Sequence, residues 1–246
     1  MIKIITLITK FIIVTLVALL FSSCNHSFSF GNGIKGSGNI TTENRPINQD
    51  FKSIEVSYGI KVIVEQSNNK SITVEADDNL QKHIITKIEN GVLKIESDKN
   101  YNSTETPKVN VKMPVINGLS SSSGSEITSS KTLISNDINA KSSSGSTINI
   151  NVEADAITLE SSSGSNIEVS GKALKAKTSS SSGSTIDAKN LMANEVISQS
   201  TSGSSTSVYP IVKLEAEASS GSSIVYHKIP KTISKKETSG GSVNEE

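Results

Sequence analysis

Three histidines, one cysteine and a scatter of carboxylates are the residues of this 246-residue chain with the chemistry to react or to hold a metal. His26 lies in the segment after Cys24, and His83 and His227 stand far apart, with no His-x-x-x-His spacing and no cysteine partner. A zinc site needs three or four converging ligands, so the histidines read as ordinary strand or tether residues. Glycoside chemistry needs a facing pair of carboxylates. The aspartates of the C-terminal half, Asp137, Asp155 and Asp187, fall 8 before, 9 before and 4 after the nearest repeat glycine. Those offsets place them on different parts of the repeat. Asp77-Asp78 is an acidic doublet that reads as a turn. Ser-Gly-Ser recurs, but a nucleophile elbow needs Gly-x-Ser-x-Gly and a histidine base. The Gly-Gly-x-Gly-x-Asp signature of calcium-binding rolls lacks its aspartate here. No glycine-rich loop precedes a helix to cradle phosphate. The expectation is a non-enzymatic protein with no catalytic residue, metal ligand or cofactor.

Cys24 is the exception, and its chemistry is modification. Lys3 and Lys10 precede an apolar run from Phe11 to Phe21, followed by Ser22, Ser23 and Cys24. A basic start, a short apolar stretch and small residues describe a secretory signal peptide. The run is too short for the ~20 residues that span a bilayer. Phe21-Ser22-Ser23-Cys24 resembles a bacterial lipobox, which implies cleavage before Cys24 and acylation of it. Residues 1–23 are then a lipoprotein signal peptide and 24–30 a polar tether. Several acyl chains on one residue would anchor the protein stably, where a single chain is marginal.

Composition narrows the rest. Formal charge is zero, with 24 basic and 24 acidic residues and a single arginine, Arg45. Nucleic-acid binding, which draws on an excess of positive charge, is excluded as an expectation. Aromatic residues make up 4% and tryptophan is absent, so no core of large rings is available.

The elements that must position any site are set by a repeat. Serine is concentrated in residues 120–246, where Ser-Ser-Gly-Ser recurs around Gly124, Gly145, Gly164, Gly183, Gly203, Gly221 and Gly240. The intervals are 21, 19, 19, 20, 18 and 19 residues. A sustained period near 19 signals a solenoid. Three residues after each glycine stand Ile127, Ile148, Ile167, Ile186, Thr206, Ile224 and Val243. Seven before the last six stand Ile138, Ile157, Ala176, Val196, Leu214 and Ile233. Alternation such as Ile148-Asn149-Ile150 is strand-like, and no unit has helical spacing. Each unit is predicted to form one coil of a β-solenoid, with coils ~4.8 Å apart and isoleucine columns inside. The serine-rich stretch is predicted to form a third side. The positions just before and just after the glycine share parity with the isoleucine column, which predicts some inward serines bonded along the stack. An outward hydroxyl face that binds glycan or ice is the competing reading.

Residues 31–118 alternate less regularly, as in Ile60-Lys61-Val62 and Ile72-Thr73-Val74. Asn90-Gly91 between two apolar runs predicts a type I′ hairpin. Ser57-Tyr58-Gly59-Ile60 resembles a degenerate repeat element. This half is expected to supply irregular coils and a hairpin cap. Pro107 and Pro114 bracket the passage into regular coils (119–234), and the polar tail (235–246) is expected to fray.

With these motifs the chain resembles the auto-transporter adhesin, head GIN domain family. The resemblance rests on Gly36-Ser37-Gly38-Asn39-Ile40, Phe51-Lys52-Ser53-Ile54-Glu55-Val56, Gly59-Ile60-Lys61-Val62, Val74-Glu75-Ala76-Asp77-Asp78-Asn79-Leu80 and Gly91-Val92-Leu93-Lys94-Ile95. It runs on through the Ser-Gly-Ser coils to about Val225. The resemblance implies an all-β fold, a right-handed parallel β-helix, in a secreted or lipid-anchored bacterial protein with no catalytic residues to carry over. The expected address is the bacterial envelope, on the outer membrane. The expected partners are that membrane, through the anchor, and a glycan or other surface ligand. A polysaccharide-processing β-helix enzyme and a purely structural envelope protein are the alternatives.

Overall fold

The computed structural model describes residues 33–246, together with Lys10 and Thr15. The chain divides into two units, Met1–Gly33 and Ile34–Glu246. In the first, Lys10 and Thr15 are helical and exposed. Apart from those two residues, the predicted signal peptide lies outside the described residues, as do Cys24 and the tether. Among the described residues, no helix is long and apolar enough to cross a membrane.

The second unit is the predicted β-solenoid. Long strands follow one another as Thr147–Ser161, Asn166–Ser180, Thr185–Ser200 and Ser205–Ala218. Each pairs in parallel with the next, one coil on. β-Branched side chains suit such buried parallel ladders. One inward column runs Val109, Val62, Ile127, Ile148, Ile167, Ile186, Thr206, Ile224 and Val243 through successive registers. All nine are buried. Each fully buried isoleucine contributes roughly 1.5–3 kcal/mol of transfer free energy.

The interval irregularities become local features. The 21-residue unit carries its two extra residues in the Ser130–Thr132 turn, since pairing is offset by 21 at Glu126↔Thr147 and by 19 at Leu133↔Val152. The 20-residue unit carries its extra residue as a bulge, with register shifting between Glu168 and Ser170.

The N-terminal half is not a simple run of early coils. Ser53–Val56 and Lys61–Gln66 form a coil around Tyr58-Gly59. Val92–Ser97 and Lys108–Met113 pair with one edge of that coil. Gly118–Ser121 and Glu126–Ser129, later in the chain, pair with its other edge. Order along the stack therefore departs from order along the chain. Beyond the lowest coil, Ile84–Glu89 closes one side as the predicted hairpin through Asn90-Gly91. Ser71–Asp77 and Ile40–Arg45 close the other, also antiparallel. Capping both sides satisfies backbone edges that would otherwise pair with another chain.

The polar tail departs from expectation. Thr232–Glu237 and Ser242–Glu245 pair with the preceding coil instead of fraying. Backbone pairing suffices there without burial, because Thr232–Glu237 is exposed throughout. The inward column changes with it: Lys235 stands where earlier coils place Ala140, Leu159 or Ala216. Its ammonium lies 4.5 Å from the Tyr226 ring centroid and donates to Val243 O at 3.1 Å. Its stem thus lies over the end of the core while its charge finds partners.

Candidate binding groove and the serine corner

The serine-rich stretch forms a tight corner, not a third side. Ser144 and Gly145 have φ of 53° and 70°, and the same pair of positive values recurs at every repeat glycine and at Tyr58-Gly59. Two consecutive positive φ values are what a type I′ turn requires. Ser146 N–H closes the turn onto Ser143 O at 3.2 Å. Gly145 N–H donates to Ser163 O of the next coil at 3.1 Å, and every corner but the last, at Gly240, repeats this link.

The turn breaks strand alternation, so parity fails across it. The serine after each glycine faces inward, as predicted, but the serine before it faces outward. Ser146, Ser165, Ser184, Ser204 and Ser222 are buried, while Ser144, Ser163, Ser182, Ser202 and Ser220 are exposed. A second inward set, Ser142, Ser161, Ser180 and Ser200, lies three before the glycine. Apart from Ser121 Oγ, which is buried without a partner, these hydroxyls satisfy one another and the backbone. Ser165 Oγ donates to Ser142 O at 2.7 Å and accepts from Ser162 N–H at 3.1 Å. Ser180 Oγ meets Ser200 Oγ at 2.8 Å and Thr206 Oγ1 at 2.7 Å. A polar seam is tolerated inside a solenoid when it is paired in this way.

Half a coil away, where each strand bends back, a groove of about 740 Å³ crosses five coils. Aliphatic surface comes from Ile134, Leu174, Met192 and Ile211. Ile134 is 63% exposed and Leu174 52%. Polar groups come from Asn136, Glu153, Asp155, Lys172 and Asn194. Asp155 alone of the three repeat-region aspartates reaches the groove; Asp187 pairs with Lys189 at 3.0 Å. Sequence reasoning followed aspartates by offset and missed Glu153. The signal was present: residues i and i+2 of one strand share a face, which places Glu153 beside Asp155.

The remaining candidates are structural. Asp77 and Asp78 clasp the N-terminal segment, as the turn reading anticipated. The buried Asp77 carboxylate accepts from Gly38 N–H at 2.7 Å and Thr104 N–H at 3.1 Å. Burial opposes its ionisation, but these bonds prevail and hold its pKa below the usual value. Asp78 accepts from Ser37 Oγ and from Asn39 Nδ2, which lowers its pKa too. The lone arginine donates to Gln81 O at 2.7 Å, bracing the cap. Tyr101 donates to Tyr58 O, and burial pushes its phenol up to about 12. His83 pairs with Asp98 at 2.8 Å and His227 with Glu246. Among the described residues no three His, Cys, Asp or Glu side chains converge as metal ligands. His26 and Cys24 lie outside the described residues.

The stacked parallel coils define a β-solenoid with antiparallel capping strands. Residues 50–230 match the family described as "Putative auto-transporter adhesin, head GIN domain", and the chain belongs to that family. Comparison with curated proteins finds no match. Among solved structures, an adhesin-described protein from Bacteroides fragilis superposes with a TM-score of 0.82 at 19% identity, covering 87% of this chain and 100% of that one. An adhesin-described protein from Parabacteroides merdae gives 0.72 at 20% identity, covering 87% and 98%. A protein from Parabacteroides distasonis described as lipid binding gives 0.72 at 22% identity, covering 87% and 99%. At these identities the likeness establishes the fold.

Proposed function

We propose that this protein is a non-enzymatic adhesin of the bacterial envelope, held on the outer membrane by acylation of Cys24. The observation that carries the adhesin reading is a rigid, repetitive solenoid in a family described by its adhesin heads. Such a scaffold presents similar groups on every coil, so binding would be a sum of weak contacts strengthened by multivalency. Two measurements test the proposal. Cys24→Ala should abolish incorporation of a clickable palmitate and leave uncleaved precursor; undiminished labelling would refute the anchor. Cells displaying the protein should adhere to mucin-coated or polysaccharide-coated surfaces more than cells lacking it; equal adherence would refute the adhesin reading.

One observation favours an enzyme instead: Glu153, Asp155 and Lys172 line a single groove. Removing a catalytic group costs orders of magnitude in rate. Polysaccharide cleavage by the purified protein, abolished by Glu153→Gln or Asp155→Asn, would establish that reading. The adhesin reading expects no products with any of the three proteins.

A further inference from the structure

We propose that the far-corner groove is a glycan site that takes an extended, neutral chain lying along the solenoid axis. This rests on the adhesin reading and names its ligand class. Two independent features coincide in the groove.

The first is unused charge. Several register-matched lysine and glutamate side chains close into ion pairs, as in Lys141–Glu160 at 3.0 Å and Lys236–Glu217 at 2.6 Å, whereas Lys175 and Glu195 do not. Glu153 and Lys172 are also register partners in adjacent coils. Among the described residues they form no ion pair with each other, and Asp155 forms none either. The second feature is aliphatic surface left in water. Ile134 and Leu174 are more than half exposed, and Met192 is 41% exposed.

Three ligand classes would use such a groove, and the chemistry separates them. A peptide strand binds by adding to an open sheet edge. Here the backbone on either side of the bend is already paired coil to coil, so the groove offers no open sheet edge. An acyl chain would bury Glu153, Asp155 and Lys172 in hydrocarbon, and burying unpaired charge is costly. A glycan fits both features. Carboxylates accept from neighbouring hydroxyls, Asn136 and Asn194 donate and accept, and aliphatic side chains meet the C–H faces of sugar rings. Two acids against one lysine disfavour a polyanion. Five coils at ~4.8 Å spacing span roughly 19 Å, room for several rings of an extended chain. The coil spacing is also close to the length of one pyranose unit in such a chain.

The test is titration of the whole protein with cellohexaose, xylohexaose and chitohexaose by calorimetry. Polygalacturonate, decanoate and an unrelated decapeptide serve as comparators. At least one neutral hexasaccharide should bind, more tightly than every comparator. Asp155→Ala, Asn194→Ala and Leu174→Ser lie on exposed positions and should each weaken binding by several-fold. Two together should weaken it about tenfold or more, which corresponds to about 1.4 kcal/mol. Ser163→Ala, at the opposite corner, should leave binding unchanged. Circular dichroism checks that every variant keeps its strands. No binding to any neutral hexasaccharide, preference for a comparator, or binding indifferent to the groove variants would each overturn the proposal. If cells still adhere while groove variants bind normally or nothing binds, the groove inference fails and the adhesin reading survives. If cells with and without the protein adhere equally while groove-dependent hexasaccharide binding persists, the adhesin reading fails and the groove assignment survives.

Discussion

A hydroxyl can decide whether a corner closes. Ser165 Oγ answers Ser162 N–H and Ser142 O at once, from a fully packed position. Ser165→Ala removes both of those hydrogen bonds, each contributing about 0.5–1.5 kcal/mol net, while Ser162 N–H still donates to Ser142 O at 3.0 Å. Ser165→Ala should therefore lower stability by about 2 kcal/mol, read as a shift in urea midpoint at unchanged slope. Ser163→Ala, whose side chain faces water, should change it little. Carboxylates set the acid response. Asp77, Asp78 and Glu89 all have pKa values below their ordinary ones in the folded protein, Glu89 at about 2 because Lys87 and Lys94 flank it. Their contribution is complete above the unfolded values and is lost as pH falls through the folded ones. Melting temperature should hold between pH 7 and 5 and drop progressively from pH 4 toward 2. Asp77→Asn should flatten part of that decline, and an unchanged profile would discount the clasp.

At the scale of strands, one glycine fixes how closely two coils approach. Gly171 has φ of 116°, and a Cβ there would sit 2.0 Å from Val152 O in the neighbouring coil. Val152 O is backbone in a paired strand and cannot step aside. Gly171→Ala should cost about 3 kcal/mol or more, combining a left-handed backbone penalty with steric displacement. A melting temperature within a degree or two of the parent would contradict this packing. Strand columns at this scale were readable in advance, because Ile148, Ile167 and Ile186 recur at a fixed distance from glycine and must share a face. The Asn90-Gly91 hairpin was readable for the same kind of local reason. Facing of Ser144 and Ser163 was not, since a two-residue turn resets the alternation that strand parity assumes. Nor was the whole groove: Glu153 and Lys172 are partners at the plain repeat offset, but Met192 joins their column only after the bulge between Glu168 and Ser170.

For the whole molecule, the coil is the unit of stability. Repeat proteins gain stability from neighbouring interfaces, so removing one complete unit removes roughly one interface. Deleting Ser165 through Gly183 should leave a shorter folded solenoid with strand-type circular dichroism and a lower melting temperature. Deleting only Ser165 through Leu174 should fail to fold, because it leaves half a coil and displaces the isoleucine column. Equal tolerance of both deletions would refute the coil as the unit. The N-terminal architecture was hidden from sequence because pairing Val92–Ser97 with Ser53–Val56 depends on contacts about 40 residues apart, with no repeat to announce them.

Residues 92–113 lie on one edge of the coil built by 53–66, and the first repeat coil must use the other. Assembly is therefore one-ended, like a polymer growing from a blocked seed. Further coils can stack only away from the antiparallel strands, toward the C-terminal end of the solenoid. The protein is in this sense a ruler whose zero mark is fixed by its N-terminal half. Each additional 19-residue unit would carry the far end outward by about 4.8 Å without disturbing the seed.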